Sequence, residues 1–273
     1  MSKDTKLSPP TELVELSNEL GSSTHDYVIL GEGNTSTPGP DGSFWVKASG
    51  SQLGTMGAAD FVLMQRGRVL EMLTLKNPTD DQVRGGLLAA KVGGSSERLP
   101  SVETAMHAVL LNIPGVRFVG HTHPTAINAI TCSVSFNALR ARLFPDEVVL
   151  CGAAPVLVPY FDPGLPLAHE IQRRVEAYLA RYGERPKTIY LQNHGFIALG
   201  ATAREVLHIT AMAVKAARIL LGAFALGGPN YLSAKAVARI HGRPDEHYRQ
   251  RMLGVSQPEA VGDAAGVDAV ETH

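Results

Sequence analysis

The feature that most constrains this chain is a pair of histidines at the end of an apolar run. His121 and His123 follow Val116, Phe118 and Val119, a pattern typical of a buried β-strand. Residues i and i+2 of a strand point to the same face and lie about 6.6 Å apart, whereas on a helix they would diverge by about 200°. Two imidazoles on a strand can therefore bind one ion with Zn–N distances of about 2.0–2.1 Å. The pair predicts a metal site at a strand end.

Composition limits the class of protein. The 273 residues suffice for one large α/β domain or two smaller ones, and 44% hydrophobic with 19% charged residues is typical of a globular protein. A net charge of −1 gives no reason to expect nucleic acid or an anionic membrane as partner. No apolar run approaches the roughly 20 residues that span a bilayer, and the polar N-terminus lacks a signal-peptide core. Cys132 and Cys151 fit free thiols, so we expect a cytoplasmic protein.

Periodicity and turn residues predict a mixed α/β chain. Helices are predicted over residues 10–21, 80–91, 102–112, 166–182, 203–226 and 233–253, with a short helix after Pro124. Strands are predicted over residues 28–30, 44–47, 148–151, 156–160 and 188–191, with a hairpin over residues 61–72. No repeat or linker interrupts the chain. We therefore expect one domain over residues 1–256 and a disordered tail over residues 257–273.

A third histidine and two glutamates are candidates for the rest of the site. His194 follows a predicted strand and precedes Gly195, where the backbone turns and permits close approach. Alone, His194 is typical of a hydrogen-bonding loop residue, but the strand-end pair makes it a predicted third ligand. Glu103 begins a predicted helix, where a carboxylate can simply complement the helix dipole, and its helix end need not lie near the strand end. Glu97, in a predicted loop, is the rival, and the spacing does not choose between them.

Two polar turns are candidates for binding an anion. Residues 33–36 and 49–51 each combine glycine with hydroxyl or amide side chains next to a short strand. Backbone N–H groups and hydroxyls in such turns can bind a phosphate, although ordinary turn chemistry explains isolated examples equally well. Lys47 adds positive charge beside the second turn.

Taken together, these motifs resemble the class II aldolase/adducin family, whose best-known members are fuculose-, rhamnulose- and ribulose-phosphate aldolases and epimerases. The motifs are, in chain order, Gly33-Asn34-x-Ser36, Lys47-x-Ser49-Gly50, Pro100-Ser101-x-Glu103-x-x-x-His107, His121-x-His123-Pro124 and Asn193-His194-Gly195. The resemblance covers about residues 10–225. It implies an α/β fold: a three-layer α/β/α domain with a central, mainly antiparallel sheet.

The resemblance also implies which residues act. It assigns His121, His123 and His194 to one divalent metal per subunit, most often Zn²⁺ with Mn²⁺ or Co²⁺ as alternatives, and it selects Glu103 as the catalytic acid/base. A raised pKa in apolar surroundings would suit that glutamate. A substrate phosphate would contact the side chains or backbone of Asn34, Ser49, Gly50 and Ser101, and His107 would be structural. Family aldolases are typically homotetramers with active sites at subunit interfaces, and the resemblance implies the same assembly, with a small phosphorylated sugar as substrate, for this chain.

The implied reaction is metal-dependent cleavage of a ketose 1-phosphate to dihydroxyacetone phosphate and an aldehyde, through a metal-stabilised enediolate. Alternatives on the same scaffold are an epimerase, a dehydratase of a methylthio-ketose phosphate, a 3-oxo acid phosphate decarboxylase and a pyruvate aldolase. A non-catalytic adducin-like scaffold is disfavoured because all the implied ligands are present. Val102 occupies the place of a second serine in fuculose-phosphate aldolases, which removes one phosphate donor. Tyr231 and Tyr248 are the tail tyrosines available for a second proton transfer.

Overall fold

The computed structural model describes residues 7–93, 97–243 and 252. The strands are β1 (Asn34–Pro38), β2 (Ser43–Lys47), β3 (Phe61–Gln65), β4 (Phe118–Thr122), β5 (Val156–Val158), β6 (Thr188–Leu191) and β7 (Gly195–Gly200). The helices are α1 (Thr11–Leu20), α2 (Arg66–Glu71), α3 (Asp80–Ala89), α4 (Thr104–Leu110), α5 (Thr125–Thr131), α6 (Pro145–Cys151), α7 (Leu165–Tyr182), α8 (Ala203–Ala225) and α9 (Ala234–His241).

The seven strands of the described residues form one sheet in the order β3-β2-β1-β4-β7-β6-β5. Only the β5–β6 pair is parallel, and the other pairs are antiparallel. Helices α2, α3, α4 and α7 pack on one face around one core, and α1, α5 and α8 pack on the other around a second. Strand β2 shows why both faces are apolar: Phe44 and Val46 enter the first core, and Trp45 enters the second. The predicted three-layer, mainly antiparallel fold is confirmed.

Helix α8 is long and apolar enough, by length and composition, to cross a membrane, which departs from the expectation that no segment approaches that limit. Its position in the fold explains the composition. It packs against α1, α5, α6 and β7, and its buried apolar residues, among them Val206, Ile209 and Leu220, lie in the second core, whereas Ile219, Leu221 and Phe224 are exposed. Its buried Glu205 is paired with Arg185 at 3.0 Å. A helix buried in a domain core satisfies the same criterion as a membrane span.

The strand predicted over residues 148–151 is wrong, because these residues form the last turns of α6. Pro145 lies in the first turn, and Asp146 and Glu147 follow it. Proline at the first turn and acidic residues beside the positive end of the helix dipole favour a helix start. A short apolar run is compatible with either structure, and these preceding residues decide for the helix.

The hairpin predicted over residues 61–72 is also wrong. Strand β3 lies at the end of the sheet order, and Arg66 begins α2 instead of a returning strand. Residues 90–92 cover that edge: Gln65 donates its backbone N–H to Ala90 at 2.7 Å, and Leu63 accepts one from Val92 at 2.8 Å. Because these residues already bond to β3, a returning hairpin strand is not needed to satisfy its edge.

The remaining differences are smaller. Residues 28–30 form no strand; Ile29 and Leu30 are 64% and 74% exposed, and Leu30 has a φ of +50°. The helix predicted over residues 102–112 begins two residues later, at Thr104. The other predicted helices are confirmed within a few residues, but sequence 233–253 is described as helix only over α9 and at residue 252, and the predicted tail lies outside the described residues. The single-domain organisation stays a prediction.

Candidate metal centre

The three predicted histidines converge at one end of the central strand β4. The Nε2 atoms of His121 and His123 are 3.0 Å apart, and their ring centroids are 4.8 Å apart. The His194 ring lies 4.9 Å from the ring of His121 and 5.2 Å from that of His123. If one ring nitrogen is taken from each of the three histidines, the three nitrogens all lie within 4.8 Å of one another. The strand-end pair therefore does bring its two imidazoles together, and His194 completes the group.

His194 reaches the pair because a tight turn connects β6 to β7. Asn193 adopts a φ of +54° in this turn, and its backbone N–H donates to the carbonyl of Thr131 at 3.0 Å. The Asn128 side chain donates to the carbonyl of His194 at 3.1 Å. Helix α5, which carries Asn128, thus anchors the turn. Asn128 was not predicted from the sequence, because only the tertiary fold brings it to this turn.

Gly195 is required where the turn becomes β7. A Cβ atom at this position would lie 2.6 Å from Cδ2 of His123 and 2.7 Å from the carbonyl oxygen of Thr122. Both distances are far below van der Waals contact. The glycine therefore permits the close approach of His194 to the other two rings, as the sequence predicted.

The outer nitrogens of two rings are oriented by neighbouring acceptors. Nδ1 of His121 donates to the carbonyl of Phe196 at 3.0 Å, and Nδ1 of His123 faces a carboxylate oxygen of Glu32 at 3.6 Å. This arrangement leaves Nε2 as the lone-pair nitrogen of each ring. Two lone pairs facing each other at 3.0 Å repel unless a cation lies between them, and imidazole ligands on a tetrahedral zinc ion lie about 3.3 Å apart. The residues therefore fit a divalent metal, and Glu32 is a supporting residue that the sequence did not predict.

Burial favours the neutral form of His121 and His123. It lowers the pKa of His121 well below the ordinary histidine value, an effect that the nearby Glu103 carboxylate opposes without cancelling. The pKa of His123 is also lowered, first by burial and then by His194. Because a metal binds the neutral ring, both side chains are ready to ligate near neutral pH.

Glu103 completes the cluster. Its Oε2 lies 3.4 Å from Nε2 of His121, and its Oε1 lies 3.2 Å from Nε2 of His194. The carboxylate belongs to the residue that caps the N-terminus of α4, not to the first helical turn as predicted. The helix end and the strand end are close because Asn34 of β1, the neighbour of β4, is paired with His121 and bonds to Glu103. Glu97, the rival carboxylate, is exposed.

The expectation of a raised pKa for Glu103 is wrong. Burial raises the pKa of this carboxyl, but positive charge at the His121 and His194 sites, from protonated rings or a bound cation, and the hydrogen bond from Asn34 outweigh burial and hold the pKa well below its ordinary value. The surroundings are buried but polar, whereas the sequence argument assumed an apolar setting. Glu103 is therefore an ionised carboxylate near neutral pH.

A buried hydrogen-bond chain holds that carboxylate. The Asn34 amide donates to Oε2 of Glu103 at 2.7 Å and to the Ser101 hydroxyl at 3.3 Å. The amide oxygen of Asn34 is bonded to Nε2 of His107, whose Nδ1 lies 2.6 Å from the Ser36 hydroxyl. Burial lowers the pKa of His107 to about 4, so this ring is neutral. The structure assigns the Asn34 amide to Glu103, and its contact with a phosphate stays a prediction.

The two other predicted anion-binding segments lie side by side. The backbone N–H of Ser49 donates to Leu99 at 2.8 Å, and that of Ser101 donates to Lys47 at 3.3 Å. The Ser49 side chain and Gly50 are exposed, while the Ser101 hydroxyl is buried and accepts the N–H of Glu103 at 3.3 Å. The structure therefore places the two segments side by side, and the contact of Ser49, Gly50 and Ser101 with a phosphate stays a prediction.

Lys47 and Tyr231, which were also considered from the sequence, donate hydrogen bonds to backbone carbonyls. The Lys47 ammonium is buried and donates to the carbonyl of Gly31 at 2.8 Å. Burial lowers its pKa, and Glu103 opposes the shift. The Tyr231 hydroxyl donates to the carbonyl of Ala138 at 3.0 Å, and Tyr248 lies outside the described residues.

Sequence comparisons relate this chain to one family and to one curated protein. The family model described as Class II Aldolase and Adducin N-terminal domain matches residues 11–221. The uncharacterized oxidoreductase YuxG of Bacillus subtilis (strain 168) is 28% identical over 202 residues, which are 70% of this chain and 26% of that protein. The chain thus spans about a quarter of the length of this relative.

Solved structures share the fold. The N-terminal class II aldolase domain of a conserved protein from Thermoplasma acidophilum has a TM-score of 0.61 and 28% identity, covering 81% of this chain and 96% of that one. L-fuculose 1-phosphate aldolase from Glaciozyma antarctica PI12 has a TM-score of 0.60 and 18% identity, covering 89% and 88%. Because the family model spans most of the chain and the fold agrees, this chain belongs to the class II aldolase and adducin N-terminal domain family.

Proposed function

We propose that this chain is a metal-dependent aldolase that cleaves a ketose 1-phosphate to dihydroxyacetone phosphate and an aldehyde. The observation that carries the proposal is the convergence of His121, His123 and His194 on one buried, ionised carboxylate, Glu103. Membership of the class II aldolase family supports an enzyme, and a fuculose 1-phosphate aldolase shares the fold.

The three histidines would hold a divalent cation, and zinc suits three imidazoles with an open fourth position. When bound, the ion supplies a Lewis acid that polarises a substrate carbonyl and stabilises developing negative charge. The residues around the ion would set the orientation and the charge of its histidine ligands. Phe196 and Glu32 orient the rings, and burial keeps His121 and His123 neutral, so their side chains do not offset the charge of the ion.

Glu103 is the proton-transfer group in this proposal. Cleavage breaks one carbon–carbon bond of the ketose; the hydroxyl on one side loses a proton to become the aldehyde, and the carbon on the other side gains one. In the reverse, addition direction, the ionised Glu103 accepts the proton from that carbon of dihydroxyacetone phosphate. Asn34 holds Oε2 with a hydrogen bond, whereas Oε1 faces the histidine cluster, 3.2 Å from Nε2 of His194. Oε1 is therefore the oxygen proposed to exchange the proton.

The anion would bind beside this carboxylate. The exposed Ser49 hydroxyl, the backbone of Gly50 at a φ of +79° and the Ser101 hydroxyl supply neutral donors. The Lys47 ammonium adds charge nearby. A phosphate held here would fix the distance between the substrate's anionic end and Glu103, which is how remote binding orients a reacting carbon.

Product analysis tests the proposal. Zinc-restored protein is incubated with a panel of ketose 1-phosphates of different stereochemistry, and dihydroxyacetone phosphate is measured with a coupled reductase. We expect it to form from at least one member, and Glu103→Gln to lower the rate at least about 100-fold while metal content is unchanged. Glu97→Gln, at an exposed glutamate nearby, is the matched control and should keep full activity. The absence of dihydroxyacetone phosphate from every member would refute the assignment.

A second candidate is related proton-transfer chemistry on a substrate with another anion, such as a pyruvate aldolase. The observation that favours it is the small number of phosphate donors. Val102 replaces a serine, and the amide hydrogens of Asn34 point to Glu103 and Ser101. Supplying pyruvate with a set of aldehydes to the same zinc-restored protein distinguishes the two, because only this candidate consumes pyruvate.

A further inference from the structure

A cavity of about 780 Å³ opens beside the proposed anion subsite. Ser49 lines it on one side, and Val102, which lies between Ser101 and Glu103, lines it on another. The Ser101 and Glu103 side chains are buried, whereas that of Val102 is 62% exposed. Ser101 and Glu103 thus face the reacting centre, whereas Val102 between them faces the cavity. The cavity therefore begins where the proposed anion subsite ends.

The wall of this cavity is unusually apolar for exposed surface. Leu75, Leu88, Leu99 and Val102 all line it, with exposures of 46%, 41%, 44% and 62%. Single exposed leucines are common, but several that converge on one concave surface indicate that something covers them. The volume lies in the range of small-molecule sites, about 300–1,000 Å³.

The charge of the wall is compatible with a ligand that carries an anionic group as well as an apolar part. Arg84 of α3 and His169 of α7 both line the cavity. Among the described residues, no carboxylate lies within ion-pair distance of Arg84, although Asp80 also contributes to the wall. An unneutralised guanidinium beside apolar surface attracts a negatively charged ligand.

We propose that this cavity binds an apolar arm that continues past the anionic group of the substrate. The inference rests on the anion subsite of the proposed function. A simple ketose 1-phosphate ends at its phosphate and would leave the cavity unfilled. In a ketose whose 1-phosphate is esterified by an apolar group, the phosphate would lie at Ser49 and Ser101 and the apolar arm against Leu88 and Val102. Cleavage of such a substrate would release dihydroxyacetone phosphate that still carries the arm as an ester. Val102 then determines specificity, because it makes an apolar contact with the arm at the position where fuculose-phosphate aldolases have a serine that donates to the phosphate.

A homologous series of n-alkyl phosphates tests this inference. Calorimetric titration of zinc-restored protein with inorganic, methyl, butyl and hexyl phosphate should give an affinity that rises about two- to fourfold per methylene, the increment expected for burying each CH₂ group. Val102→Ser and Leu88→Gln should flatten this gradient. Leu226→Gln, at a leucine that is 89% exposed and does not line the cavity, is the control and should keep it.

Two results would overturn the inference. One is an affinity independent of chain length; if Leu88→Gln then also lowers the sedimenting mass, a second copy of the chain covers the wall instead. The other is a gradient equally steep in both cavity variants, which places the arm elsewhere. The titration needs no turnover, so the two proposals can fail separately. A gradient without formation of free or esterified dihydroxyacetone phosphate would refute the reaction and keep the cavity assignment. Formation of this product without a gradient would refute the cavity assignment and keep the reaction.

Discussion

At the scale of single residues, one buried amide organises the chemistry of the site. An asparagine side chain can present either end to a neighbour, and here His107 decides the orientation. A neutral His107 that donates from Nε2 to the amide oxygen directs the Asn34 NH₂ group toward Glu103, and the Ser36 hydroxyl completes the chain by donating to Nδ1. A histidine that the sequence suggested was structural therefore positions the carboxylate through a second residue.

Replacing His107 by glutamine should change how stability depends on pH. The folded pKa of His107 is about 4, below the ordinary value of 6.5, so between these pH values the unfolded chain binds a proton that the folded chain does not. The free energy of unfolding contributed by this group is fully present above pH 6.5 and falls by up to about 1.4 kcal/mol per pH unit as the pH drops toward 4.

Urea unfolding between pH 5 and 7 measures this slope. His107→Gln keeps one donor and one acceptor but cannot be protonated, so its slope should be smaller by about one proton. The other histidines are common to both proteins and cancel in the comparison. His169→Gln, at an exposed histidine, is the control and should match the wild type. Equal slopes for the wild type and His107→Gln would show that His107 does not stay neutral in the fold.

Asn34→Asp should shift the pH profile of activity. It places a second carboxylate where an amide now donates to Glu103 at 2.7 Å. Because two like charges this close disfavour joint ionisation, the pKa of the pair rises, and the acid limb of kcat/KM in the addition direction should move up by at least about one pH unit. Asn112→Asp, at an exposed asparagine, should leave the profile unchanged. An unmoved acid limb in Asn34→Asp would separate Asn34 from the carboxylate that carries the proton.

Site residues differed in how far the sequence could identify them. His121, His123 and His194 were predictable because metal ligands need particular side chains at strand ends, and Glu103 because the family motif places it. Glu32 and Asn128 were not, since they act only by orienting ligands through contacts made in the folded chain. The pKa of Glu103 was misjudged for the same reason: its polar neighbours come from distant segments.

At the scale of elements, long periodic segments were predictable and short apolar runs were not. Helices α7 and α8 have many turns of consistent periodicity, so local pattern sufficed for them. Residues 148–151 and 61–72 are too short to show a clear periodicity. The residues at the start of α6 decided the structure of the first segment, and the place of β3 at the end of the sheet decided that of the second. Strand β7 was not predicted because Gly195, its first residue, is typical of a turn after His194.

The turn between β6 and β7 makes a sharp prediction at this scale. In Gly195→Ala the new Cβ would lie 2.6 Å from His123 Cδ2 and 2.7 Å from the Thr122 carbonyl, so the turn or a ring must move. We expect metal affinity, measured by competition with a chromogenic chelator, to fall roughly 10–100-fold, the range seen when ligand orientation is disturbed. Gly222→Ala in α8, where a Cβ meets nothing within 4 Å, is the control. Unchanged affinity in Gly195→Ala would show that the rings tolerate the displacement.

At the scale of the whole molecule, the site joins segments that are far apart in sequence. Strand β4 lies between β1 and β7 in the sheet, and the site residues come from these strands, from the turn before β7 and from the start of α4. Asn34 pairs with His121 across the β1–β4 boundary, and Thr122 pairs with Phe196 across the β4–β7 boundary. A metal at this place ties the middle of the sheet together, so its binding should be coupled to global unfolding.

Removing metal should therefore lower the stability of the whole chain. A ligand that binds only the folded state adds about 2.7 kcal/mol to the free energy of unfolding when its free concentration is 100 times its Kd. For a chain of this size that corresponds to a rise in Tm of roughly 5–10 °C. Calorimetry of chelator-treated and zinc-restored protein should show this difference in Tm, and His194→Ala, which lacks one proposed ligand, should show a much smaller one.

The rise in Tm on adding zinc should also shrink as the pH falls, because protons compete with the metal for the ring nitrogens. Identical Tm values with and without zinc would mean that the three histidines do not bind it in the folded state.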